Sequence, residues 1–116
     1  MCYNRSQDLL AKFGDKLIAI HLNDNLGISD KNGNITWIDD LHLLPFDGIS
    51  DWNYNLQRIK NCGYEGIITF ELTRKSKPNR NENDCYMGMS IEYYISECYK
   101  RACQIREILE LNCSEL

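Results

Sequence analysis

The chain has 116 residues, 43% of them hydrophobic and 26% charged, which suits one domain over residues 1–116 with a buried core. Its 13 Lys and Arg against 17 Asp and Glu give a formal charge of -4, so it lacks the basic surplus on which nucleic-acid binding draws. No apolar run reaches the roughly 20 residues of a bilayer span, and the opening Met-Cys-Tyr-Asn-Arg-Ser has no apolar signal stretch, so a cytoplasmic protein without a membrane partner is expected.

Taken in chain order, Ser6 is a plausible N-cap for a short helix that would bury Leu9, Leu10 and Phe13 and stop at a left-handed Gly14. Lys16 to Leu22 is a compact apolar run, read as a strand buried on both faces. Asn23 to Gly48, rich in Asn, Asp and Gly, is too long for an idle connector. Ser50 can cap a second helix with Trp52, Leu56 and Ile59 at helical spacing, ended by Asn61-Cys62-Gly63. Ile67 to Leu72 reads as a second buried strand, and Thr73 to Gly88 as a polar loop of mixed charge. Ser90 then caps a long helix whose Ile91, Tyr94, Ile95, Cys98, Tyr99, Ala102, Ile105, Ile108 and Leu109 make one apolar face. Six cysteines, at 2, 62, 85, 98, 103 and 113, form no Cys-x-x-Cys pair and read as small apolar residues with free thiols.

This alternation of helix, strand and long loop is the repeating unit of a parallel α/β protein. Two parallel strands alone leave both sheet edges unpaired, so missing sequence, a second copy or another partner is expected to complete the sheet.

Five positions attract attention as chemistry. His21 lies late in the first strand with Asp24 three residues beyond, and an imidazole among carboxylates suits a first-row divalent metal; the alternative is a histidine satisfied by a backbone carbonyl. Glu71 stands among apolar residues at the end of the second strand, where a buried carboxylate must be metal-bound, paired or protonated, with Arg74 or Lys75 as the structural partners. Asp40 and His42, two apart, would point to one side of an extended segment; they suit a metal, a hydroxylated substrate, or merely a solvated loop. Trp37, Phe46 and Trp52 read as packing or pocket-wall residues.

The ordered set His21-Leu-Asn-Asp24, Asp40-x-His42-x-x-Pro45-x-x-Gly48, Asp51-Trp52 and Gly63-Tyr-x-Gly66 running into Phe70-Glu71 resembles the C-terminal part of the sugar-phosphate isomerase/epimerase family. These are xylose-isomerase-like TIM barrels related to endonuclease IV, the AP endonuclease family 2. The resemblance implies an α/β fold, a partial (β/α)8 barrel of the last two strands and about three helices, completed by a missing N-terminal half barrel or by homo-oligomerisation. It implies proton transfer next to the carbonyl of a sugar or sugar phosphate, with a divalent metal (Mn, Zn, Mg or Co) held by His21 and Glu71. Glu71 would also be the catalytic acid/base, and Asp24, Asp40 and His42 would touch substrate, support the ligands from behind, or add to the metal's ligands. The first Glu and Asp ligands of such barrels have no counterpart in this chain, so a catalytically inactive or self-associating module is the competing reading. Phosphodiester cleavage of the endonuclease IV kind, suggested by Asp40-x-His42, is disfavoured by the acidic balance.

Overall fold

The computed structural model describes residues 8–114. Its regular elements are α1 (Leu9–Phe13), β1 (Ile20–Leu22), α2 (Trp52–Asn61), β2 (Ile68–Phe70), α3 (Asp84–Met87) and α4 (Ile91–Ser114), with single 3-10 turns at Gly14–Lys16 and Trp37–Asp39. The two strands pair in parallel, Ile20 with Ile68, His21 with Thr69 and Leu22 with Phe70. Glu71 N–H extends the ladder by donating to the Leu22 carbonyl at 3.1 Å.

This architecture corrects the partial barrel. Two three-residue strands form a two-stranded sheet accompanied by four helices rather than three. The apolar runs that suggested doubly buried strands are covered on one side only: Ile20 and Leu22 are buried, whereas the alternating Ala19 and His21 of the first run and Ile67 and Thr69 of the second are exposed. An apolar run of strand length does not by itself distinguish one buried face from two.

The covered side packs Ile20 and Leu22 against Trp52, Leu56 and Ile59 of α2 and Ile105 of α4. The helical spacing of those α2 residues, with Arg58 and Lys60 turned toward its C-terminal end, is what the sequence required. Its cap is Asp51 rather than Ser50, the carboxylate accepting from Tyr54 N–H at 3.0 Å. Gly63 at φ +80° then provides the left-handed stop after Asn61. Ser90 does cap α4, its hydroxyl accepting from Tyr93 N–H at 3.1 Å.

A second core lies away from the sheet. Leu41, Leu43 and Leu44 of the first long loop pack on Tyr86 of α3 and Tyr94 of α4, the two tyrosine rings 5.5 Å apart. The loop is therefore an ordered part of the fold, closed by an antiparallel bridge between Asp24 and Leu43.

The N-terminal helix departs from expectation. Ser6 lies outside the described residues, and the cap that is described is Asp8, which accepts from Ala11 N–H at 3.1 Å and pairs with Arg58. No residue of α1 is fully buried. Gly14 is right-handed at φ -59°, so its lack of a side chain serves close packing: a Cβ there would overlap Cys62 at the end of α2. Cys62, Cys85, Cys98 and Cys103 are free thiols. No described helix is long and apolar enough to cross a membrane.

Candidate functional site

Because β1 and β2 run in parallel, their carboxyl ends open on the same side, where α/β proteins place ligand-binding groups. His21 is the middle residue of β1 and alternates with the buried Ile20 and Leu22, so its ring stands on the uncovered face. Glu71 follows β2 directly. His21 Nδ1 and Glu71 Oε2 are 3.6 Å apart, with side chains 60% and 57% exposed. The buried carboxylate expected at Glu71 is thus corrected to an open one, and its neighbour is His21 rather than Arg74 or Lys75. Arg74 is engaged elsewhere, donating to the carbonyls of Tyr86 and Met89 at 3.2 and 2.6 Å.

Asp40 and His42 are brought together as the spacing suggested, His42 Nε2 lying 2.8 Å from Asp40 Oδ2. The ring's other nitrogen meets the Glu71 carbonyl at 2.9 Å. Donor and acceptor roles here follow the tautomer: a hydrogen on Nδ1 would be donated to the carbonyl. His42 adopts φ +53°, and its own carbonyl accepts from Thr73 N–H at 3.1 Å. The loop after β1 is therefore stitched to the segment leaving β2, and His21, Glu71, His42 and Asp40 form one chain of contacts.

Asp24 is not part of that chain. It is sealed from solvent, and its carboxylate accepts from Asn25 N–H (2.9 Å), Phe46 N–H (3.0 Å), Ser50 N–H (3.2 Å) and the Trp52 indole (2.9 Å). Four donors satisfy a buried charge without a counter-cation, and they fix where the first long loop returns to α2. Gly48 passes so close that a Cβ would collide with the Asp24 carboxylate and the Asn25 carbonyl.

A second polar cluster joins the loops. Arg80 Nη1 meets Asp39 at 3.1 Å and Arg80 Nε meets Glu82 at 2.6 Å, the guanidinium reaching from the second loop to the first. Asp39 also accepts from Ser29 N–H at 3.2 Å. Hydrogen bonds from Ser29, then Arg80, hold the Asp39 carboxyl below the usual range despite its burial. For Glu82, burial pushes upward and is outweighed by backbone N–H groups and Arg80, leaving its pKa lowered too. Sequence reading passed over this cluster; its signal was an arginine in a loop whose length alone called for internal contacts. Asn83 was missed as well: fully buried, it donates to the Leu41 and Thr73 carbonyls at 2.9 and 3.0 Å and ties the same two loops.

As a metal centre the arrangement supplies two convergent side-chain donors, His21 and Glu71. Among the described residues no three His, Cys, Asp or Glu side chains are grouped to hold an ion. Catalytic metals generally take at least three protein ligands, so the described residues do not complete such a site.

No family model matches the chain, and no solved structure is significantly similar to it. Over 63 residues the chain is 38% identical to the uncharacterized protein y4fM of Sinorhizobium fredii (strain NBRC 101917 / NGR234), a match covering 54% of this chain but 17% of that protein. The chain thus spans well under two thirds of its curated relative.

Proposed function

We propose that this chain carries a proton-transfer site acting next to the carbonyl of a sugar or sugar phosphate, the chemistry of an isomerase or epimerase. The observation that supports it is the open His21–Glu71 pair, 3.6 Å apart at the carboxyl ends of two parallel strands. Both side chains are free to meet a ligand, unlike Asp24, whose oxygens are fully used within the fold.

In this reading Glu71 takes the proton from the carbon beside the carbonyl. His21, on the neighbouring strand, donates to the oxygen on which negative charge develops. Returning the proton to the former carbonyl carbon, while His21 takes back a proton from the neighbouring hydroxyl as it becomes the new carbonyl, isomerises the sugar; returning it to the opposite face of the original carbon, with His21 recovering its proton from the enol oxygen, epimerises it. His42 acts on Glu71 through the backbone: its bond to the Glu71 carbonyl and its pairing with Asp40 hold the segment that presents the carboxylate. Glu71→Gln is expected to lower turnover of the responding ketose about 100-fold or more, and His21→Ala to a comparable degree, whereas Glu65→Gln leaves it intact. The assay is isomerisation of a ketose and ketose-phosphate panel with and without Mn²⁺ or Zn²⁺. Undiminished turnover in Glu71→Gln would refute the assignment.

A second reading, self-association, is favoured by one further observation. β1 and β2 are both edge strands, and the apolar Ile18 and Ile67 beside them are almost wholly exposed. The occupant is a second copy of the chain, adding its own edge to this one.

A further inference from the structure

We infer that Asn83 is a positioning residue for the Glu71 carboxylate, an inference that rests on the proton-transfer reading above and adds to that site a residue outside both strands. Asn83 immediately precedes α3 and is sealed from solvent. Its Nδ2 donates to the Leu41 carbonyl at 2.9 Å and to the Thr73 carbonyl at 3.0 Å. Chemistry fixes the orientation of the amide, since the opposite one would set its oxygen against two carbonyl oxygens. The two carbonyls belong to different loops: Leu41 precedes His42, and Thr73 stands two residues after Glu71.

The contacts around them close a ring. Thr73 N–H donates to the His42 carbonyl at 3.1 Å, and the His42 ring returns through Nδ1 to the Glu71 carbonyl at 2.9 Å. His42 is left-handed at φ +53°, a conformation that persists in a residue with a side chain where the surroundings impose it. They do so from both sides. Leu41 N–H donates to Asn25 Oδ1 at 2.6 Å, the Leu41 carbonyl accepts from Asn83, and Leu43 exchanges two backbone bonds of 2.9 Å with Asp24. Of these three partners, Asn83 also grips the segment that leaves β2.

The residue type follows from this task. Asn83 Oδ1 is buried with no donor among the described residues, which is unfavourable in itself. A leucine of similar shape would avoid that cost but leave both carbonyls without the amide's N–H groups, and an aspartate would face them with like charge. What the amide supplies is two hydrogens on one nitrogen, set to hold carbonyls from two loops together. It is itself held, its backbone N–H donating to Ser76 Oγ at 3.0 Å while that hydroxyl donates to Asp84 at 2.8 Å. Loosening the bridge lets His42 leave its left-handed geometry and release the Glu71 carbonyl, so the carboxylate drifts from its place 3.6 Å from His21. Such a displacement weakens proton transfer more than it weakens substrate binding.

The test takes the His21 ring as reporter of where Glu71 stands. In the otherwise native protein Glu71→Gln removes the charge beside His21 and should shift its ring Cε1–H resonance. In an Asn83→Leu background the same change should shift it less than half as far, while the Trp52 indole N–H, bonded to Asp24, reports an intact fold. Turnover in Asn83→Leu should fall about tenfold or more in kcat with KM near the native value. An equal His21 response in the two backgrounds, or an unchanged kcat, would overturn the inference. Should Asn83→Leu fail to fold, hydrogen exchange in the native protein decides. The Asn83 side-chain amide and the Thr73 N–H are expected to share one protection, and an Asn83 amide that exchanges freely beside a protected Thr73 would overturn the bridge. Native protein without turnover, but with the His21 response reduced in Asn83→Leu, would remove the proton-transfer reading and leave the bridge standing. Native turnover with an equal His21 response would do the reverse.

Discussion

Asp24 carries more of the fold than its neighbours in sequence suggest. Removing its carboxylate in Asp24→Ala strands four donors, two of them on the segment that leads into α2, and is expected to cost on the order of 3 kcal/mol or more. Gly48→Ala drives a methyl group into the same carboxylate and should destabilise in the same direction by about 1–3 kcal/mol. Urea unfolding of the two variants checks both values, and wild-type midpoints would show that Asp24 is dispensable. The residue was read as a candidate ligand because it stands three positions after His21. Three of its four partners lie 22 to 28 residues later, and separation of that order is invisible to local spacing. One sequence signal pointed to them: a tryptophan on the apolar face of a helix needs an acceptor for its indole N–H. The place of Glu71 at the end of the second strand was legible from the apolar run before it, but not its exposure, since whether a strand is covered on one face or two depends on the rest of the fold.

Between elements, the Arg80 bridge from the second long loop to Asp39 and Glu82 is what keeps the loop surface in one shape. Both carboxyls have lowered pKa values in the folded protein. A depressed carboxylate contributes stability that is fully present above its unfolded value of about 4 and is lost as pH falls through the lower folded value. Acidification below about pH 4 is therefore expected to free the loops, changing Trp37 emission while the helical circular dichroism persists. Arg80→Met should show the loosened emission already at neutral pH. Coincident loss of both signals on acidification would contradict a local latch. By contrast Tyr86, whose phenol is pushed above its ordinary pKa by burial and then by its bond to Asp47, stays a donor throughout and keeps α3 tied to the first loop. Helices were the legible elements: the spacing of Trp52, Leu56 and Ile59 and the Ser90 cap gave α2 and α4 nearly to their ends. The apolar face of α4 was legible as a pattern but is only half covered, with Tyr94 and Ile105 buried and Ile95 and Tyr99 open. The four-residue α3 escaped notice because one turn carries no periodicity.

For the molecule as a whole, the order helix, strand, loop, helix, strand, loop was readable, and the pairing of the two strands in parallel follows from it. The closure of that pattern into part of a barrel was not, because the loops, not additional strands, supply the second core. The exposed Ile18 and Ile67 make self-association at the sheet a property to measure: light scattering should give a dimer that Ile18→Asp and Ile67→Asp convert to a folded monomer. A wild-type monomer at all concentrations would remove that reading. The central claim, that Glu71 moves a proton beside a sugar carbonyl with His21 at its side, is tested most directly by incubating the protein with ketoses and ketose phosphates in D₂O. Deuterium is then followed at the carbon next to the carbonyl. Incorporation by the wild type that is lost in Glu71→Gln and His21→Ala is the expected result, and no incorporation above the uncatalysed rate, or equal incorporation in Glu71→Gln, would contradict it.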